Sequence, residues 1–174
     1  MSPKEASEIV QILERSREEF NAAAIGVTEA HALTKPEPDR WSVLDCVEHV
    51  AFVEGRFLGW LQAAPRENAP PLDKQKEADL GVRVPNRSVR AQAPEAARPT
   101  GRYASLAEAL DQFNAARDKT IEFAEACGPD IYALALEHPR FGKLNGMEFL
   151  MVVAGHARRH AEQIRETRTV LGMS

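Results

Sequence analysis

Several features that would point directly to a function are missing from this 174-residue sequence. It has no excess of positive charge. Its 26 acidic residues against 22 basic ones leave a net −4 at pH 7, so the charge favours neither nucleic acid nor an anionic membrane as a partner. No apolar run approaches the ~18 residues of a membrane span. The opening stretch, MSPKEASEIVQILERSREEF, is charged and patterned as a helix rather than as a secretory leader. Cysteine is scarce: Cys46 and Cys127 both fall in helical patterns and there is no CxxC pair, which excludes a disulfide framework. These absences lead us to expect a cytoplasmic protein. Alternating Val/Ile/Thr runs are also missing, so no strand is expected, and no internal repeat is visible.

What is present is an ordinary globular balance, 44% hydrophobic and 28% charged. At this length a single domain over 1–174 is expected, large enough for a real core. Four segments open with a helix-start signature and continue with apolar residues at helical spacing. The cap pairs are Ser2 with Glu5, Ser42 with Asp45, Ser105 with Glu108, and Asn145 with Glu148. The helices are expected at 3–25, 42–63, 105–127 and 145–169, with Gly26, Pro65, Gly128 and Gly172 marking their ends. Rods of about 30–35 Å each predict an all-α four-helix bundle. Short links join the first helix to the second and the third to the fourth, so each pair is expected to run antiparallel. Residues 64–104 are expected to form a long crossover between helices two and three; they hold six of the eleven prolines and six arginines.

The fourth helix carries GHARRHAEQI, with His156 and His160 four residues apart and therefore on one face. Phe149, Val152, Val153, His156, His160, Ile164 and Leu171 form one stripe, while Arg158, Arg159, Glu162, Arg165 and Glu166 lie opposite. In the second helix, Cys46, His49, Val53, Phe57 and Trp60 form another inward stripe. Three histidines can thus meet inside the bundle, although sequence does not set their relative heights. A buried imidazole without a partner costs about 1–3 kcal/mol, out of a typical total stability of about 5–15 kcal/mol. One divalent metal on His49, His156 and His160 satisfies all three and leaves coordination positions open, the usual arrangement of a catalytic rather than a structural site. Two familiar motifs are excluded. Ala157 follows His156 where HExxH needs its glutamate, and neither histidine has the carboxylate offset of a di-iron bundle.

The stretches WSVLDCVEHVAFVEGRF (41–57), PEAARPTGRYASLAEALDQFNAARDKTIEF (94–123) and HPRFGKLNGMEFLMVVAGHARRHAEQI (138–164) resemble the second helix, the crossover exit with the third helix, and the fourth helix with its lead-in of the DinB-like superfamily. The resemblance covers most of the chain from about residue 38. It implies a four-helix bundle with a long crossover, a divalent ion (commonly nickel or zinc) on His49, His156 and His160, and a homodimer. It also implies relatives that are largely thiol-dependent transferases and isomerases, hence a small-molecule substrate and a low-molecular-weight thiol as a further cofactor. Three readings stand: a metal-dependent enzyme that activates water or a thiol; a non-catalytic metal-binding dimer that stores, senses or docks; and a bundle whose histidines bond to one another and to water.

Other residues receive plainer expectations. Trp41 is read as a staple at the helix entry, with a place in the pocket wall as the alternative, Cys46 as a small hydrophobe rather than a fourth ligand, and Gln163 as a hydrogen-bond partner of an imidazole. Arg159 is expected at the surface or between helices, Arg117 in a cross-helix ion pair, His138 in a turn and His31 in solvent. Arg83, Arg87, Arg90, Arg98 and Arg102 are read chiefly as solubilising the crossover, with one or two of them as clamps for a carboxylate or a thiol cofactor as the alternative.

Overall fold

The structure, a computed structural model, describes residues 3–173, with side chains from Glu8 onward. The Ser2–Glu5 cap lies outside those residues. In chain order the elements are α1 (Pro3–Ala24), the single turn α2 (Glu29–Ala32), α3 (Val43–Ala63), α4 (Lys74–Arg83), α5 (Leu106–Cys127), the strands β1 (Ala135–His138) and β2 (Gly142–Asn145), and α6 (Gly146–Val170). The caps act as their spacing requires. Ser42 accepts the Asp45 amide at 3.1 Å while the Asp45 carboxylate accepts the Ser42 amide at 2.9 Å. Asn145 and Glu148 make the same reciprocal pair at 2.9 and 3.0 Å. Glu108 differs, reaching one residue further back to the amide of Ala104.

The four long helices form a bundle in which α1 packs on α6 and α5, and α3 on α5 and α6. Helices joined by the short links therefore stand across the bundle from each other rather than side by side. A link of this length limits the separation of two helix ends, but it does not make the helices neighbours. No helix among the described residues is long and apolar enough to cross a membrane.

The core has two apolar halves. One holds Ile9, Leu13, Val53, Phe57, Leu61, Ile121 and Phe149; the other holds Phe20, Val43, Val47, Phe113, Ala157, Ala161 and Ile164. Along α1, α5 and α6 the change from one half to the other falls at Ser16, Arg117 and His156. On α3 it falls between His49 and Glu54. A polar layer thus crosses the middle of the bundle.

Two segments depart from expectation. The connection between α3 and α5 is not structureless: it contains α4, capped by Asp73, and a 3-10 turn at Glu95–Ala97. The prolines of the segment flank α4 and leave residues 74–83 free of them. α4 lies on α6 at Gly155, where an added Cβ would come within 2.7 Å of the Val84 Cβ, so only glycine allows this approach. The expected absence of strands is also corrected, because β1 and β2 pair antiparallel just before α6. Each has four residues, and the hairpin buries one cross-strand apolar pair, Leu136 with Leu144. That is too little to produce an alternating pattern.

Candidate metal centre

The helical stripes bring His49 from α3 together with His156 and His160 from α6. Each offers a ring nitrogen, and these nitrogens lie within 4.8 Å of one another. The imidazole centroids are 4.6–5.1 Å apart. His49 and His160 are 4% and 7% exposed, and His156 is the least buried of the three residues.

Two tautomers are set from outside the cluster. His49 Nδ1 lies 2.7 Å from the carbonyl of Ala97, which can only accept, so Nδ1 carries the proton and donates. His160 Nδ1 lies 2.9 Å from Gln163 Oε1. That amide oxygen is assigned by Arg87, which donates to it at 3.3 Å while holding Glu166 in a bidentate pair at 2.8 Å. His160 Nδ1 is therefore also a donor. In the neutral rings both Nε2 atoms keep their lone pairs. His49 Nε2 lies 3.1 Å from His156 Nε2, close to the roughly 3.3 Å that separates two ligands of a tetrahedral ion with metal–nitrogen bonds of about 2.0–2.1 Å.

The electrostatics keep the rings neutral. Burial holds His49 below its ordinary value; Arg102 adds to this and the Ala97 hydrogen bond opposes it. Burial, followed by repulsion from His160 and His49, holds His156 well below. His160 is likewise held well below by burial and then by His49, against the Gln163 hydrogen bond. Metal binding needs neutral imidazole. The donor set, three nitrogens without a carboxylate or thiolate, suits a divalent ion of borderline softness and leaves a position for a reacting molecule.

Aromatic rings wall the cluster. Trp41 stacks on His160 at 6.0 Å and 20° and tilts against His49 at 4.9 Å, so it does more than staple the helix entry. Phe57 stands 5.7 Å from His156 and 6.0 Å from His138. His138 is not a plain turn residue: half-buried, it packs on Phe141 at 4.9 Å, and its Nδ1 accepts the Arg140 amide at 3.1 Å. Cys46 is buried with its thiol pushed up by burial, and it stands outside the ligand group. His31 is exposed.

Arg159 is neither a surface nor an interhelical residue. It is 7% exposed and donates to the carbonyls of Asn86 and Val89, the latter at 2.7 Å. Arg117 makes a cross-helix ion pair with Glu54. Sequence reasoning passed over Glu48, which is buried and accepts from the amides of Thr100 and Gly101 at 2.7 and 3.1 Å and from Arg102 at 2.9 Å. Its signal was a lone carboxylate in the apolar run that carries His49. Arg87 and Arg102, read as solubilising, are bonded anchors.

A family model described as the DinB superfamily matches residues 12–164. The chain is 19% identical over 143 residues to the uncharacterized protein YuaE of Bacillus subtilis (strain 168), covering 82% of this chain and 86% of YuaE. Among solved structures it is similar to YfiT from Bacillus subtilis, described as a probable metal-dependent hydrolase with an unusual four-helix bundle topology. The TM-score is 0.71 at 15% identity, over 100% of this chain and 91% of YfiT. TT2238, a four-helix bundle protein, matches with a TM-score of 0.61 at 21% identity, over 92% of this chain and 98% of that one. At these identities the structural likeness bears on the fold alone.

Proposed function

The chain belongs to the DinB superfamily, and we propose that it is a divalent-metal-dependent enzyme acting on a small molecule through His49, His156 and His160. One observation carries this reading. Two of the three imidazoles donate outward through Nδ1, which leaves their Nε2 lone pairs for the cluster, where His49 Nε2 stands 3.1 Å from His156 Nε2 and one ring nitrogen of each histidine lies within 4.8 Å of the others. Nickel or zinc held there supplies Lewis-acid chemistry, making water or a low-molecular-weight thiol nucleophilic at neutral pH.

The chain's own residues do the rest. Trp41 and Phe57 cover the imidazoles and exclude bulk water from their faces. His156 is the least buried of the three and so marks the side from which a small molecule would enter. His138, whose Nδ1 is an acceptor, carries its proton on Nε2 in the neutral ring and offers a donor beside Phe57. The description of YfiT as a probable metal-dependent hydrolase supports water as the nucleophile. The thiol alternative rests on the sequence resemblance.

Elemental analysis of untagged protein purified without chelators tests the reading. About one nickel or zinc per chain is expected, followed by metal-dependent turnover in a screen of small electrophiles with and without thiol. No bound ion, even after loading with several divalent metals, overturns it.

A further inference from the structure

Each end of the histidine cluster has a charged residue next to it in sequence that holds the connection between α3 and α5. Glu48, beside His49, is wrapped by the turn at 100–102, where Gly101 adopts φ +77 and presents its amide to the carboxylate. Arg159, beside His160, holds the carbonyls of Asn86 and Val89. Between these two grips the connection returns two contacts to the ligands themselves. The Ala97 carbonyl fixes His49 Nδ1, and Arg87 fixes the Gln163 oxygen that His160 Nδ1 meets. Partners of this kind raise ligand basicity and lock ring orientation.

We infer that the segment 86–102 is the outer shell of the metal centre, with Glu48 and Arg159 as positioning residues, so that metal affinity and docking of this segment form one coupled equilibrium. This rests on the metal-binding reading above. Undocking the segment removes the Ala97 acceptor from His49 and the Arg87 donor from Gln163, and both rings are then free to turn. By reciprocity, an ion that binds the ordered rings more tightly holds the segment down by the same factor.

The test measures Zn²⁺ affinity by competition with a chromophoric chelator, and amide exchange over 86–102 with and without Zn²⁺, on the full chain. Arg159→Met, with all three histidines intact, is expected to lower affinity about 10–100-fold. Glu48→Gln keeps the shape, loses the charge opposite Arg102, and is expected to lower it less. Arg158→Ala, one residue away on the exposed face and paired with Glu19, leaves affinity unchanged. Saturating Zn²⁺ is expected to slow exchange over 86–102 by at least the factor that Arg159→Met costs in affinity, because the variant can lose no more than the docked-to-undocked affinity ratio. Should Arg159→Met fail to fold, Arg87→Ala removes the grip on Gln163 from a half-buried position outside the core and decides the same question. Variants that hold Zn²⁺ as tightly as the wild type, with exchange over 86–102 indifferent to the ion, overturn the coupling and leave the metal site standing. A wild-type chain that binds neither Zn²⁺ nor Ni²⁺ overturns both.

Discussion

The polar layer at mid-bundle has two parts that solve the same problem in opposite ways. In one, Arg117 and Glu54 are buried between α1, α3 and α5, and each side-chain nitrogen and oxygen of the pair has a protein partner. Arg117 gives Nε and Nη2 to Glu54 at 2.5 and 3.0 Å, and Nη1 to the Leu13 carbonyl and the Ser16 hydroxyl at 2.7 and 2.6 Å. In the other, between α3 and α6, His49 and His160 are satisfied on their outer nitrogens, while on the inner side His49 Nε2 meets, among the described residues, only His156 Nε2, at 3.1 Å. A closed polar cluster specifies how helices fit together. A cluster that is fixed on its outer nitrogens and brings its inner ones together is the arrangement a metal ion would complete, which is why the proposed function rests on it. Arg117, Glu54, His49 and His160 are all buried; the difference between the two parts lies in whether the inner polar atoms are met by groups of opposite charge.

The largest effect is expected from breaking the closed part. Glu54→Ala leaves the Arg117 guanidinium buried without its counter-charge and is expected to cost about 3–5 kcal/mol, measured as a shift in the urea midpoint. A paired Glu54→Leu/Arg117→Met variant is expected to recover most of that, because removing both charges also removes the desolvation cost. If the double variant is as unstable as the single, the cluster is contributing more than pairing.

The open part responds through its ligand. His160→Ala is expected to abolish stoichiometric metal binding, and with it the stabilisation of about 2.7 kcal/mol that an ion at a hundred times its Kd confers. One ion per chain retained by the variant would sink the triad. Without metal, the three imidazoles give a pH signature of definite sign. Each is held below 6.5 in the folded chain, whereas unfolded histidines titrate near 6.5. Below that pH the unfolded chain binds more protons. Stability is therefore fully present above about 6.5 and falls as pH drops toward the depressed folded values. Urea midpoints of metal-free protein between pH 7.5 and 5.5 should decline on acidification, less steeply for His160→Ala; a midpoint that rises contradicts the burial of neutral rings.

Much of this was legible because it is local. Caps such as Ser42–Asp45 and Asn145–Glu148, followed by apolar spacing, mark α3 and α6 to within a residue. An inward-facing histidine is readable from the same 3.6-residue stripe, as is a lone Arg117 in need of a counter-charge. What was hidden depends on distance or on averaging. The heights at which His49 meets His156 and His160 are set by how α3 slides along α6, which no single-helix pattern contains. The diagonal placement of linked helices has the same origin. α4 was masked because a proline count over 64–104 conceals a proline-free window at 74–83. Ala97 contributes a main-chain carbonyl and has no side-chain signal at all. Arg87 and Arg102 have four further arginines around them of the same chemistry, and only position separates anchors from solubilising residues.

The smallest effect probes the seam between the open cluster and the connection that covers it. At Gly155, one residue before His156, alanine gains about 1 kcal/mol of helix propensity. Its methyl, however, would lie 2.7 Å and 2.8 Å from Val84 Cβ and Cγ1 and 3.3 Å from Pro85. Val84 is buried and β-branched, so the end of α4 has to move rather than a flexible side-chain tip. Overpacking of this kind costs about 1–3 kcal/mol, and the net is a loss of about 0–2 kcal/mol by urea denaturation. Gly59→Ala, at a helical glycine with open space around its Cβ position, should instead gain stability. If Gly155→Ala gains as much as Gly59→Ala, α4 does not press on α6, and the covering of the histidines begins only at the grip of Arg159 on Asn86 and Val89.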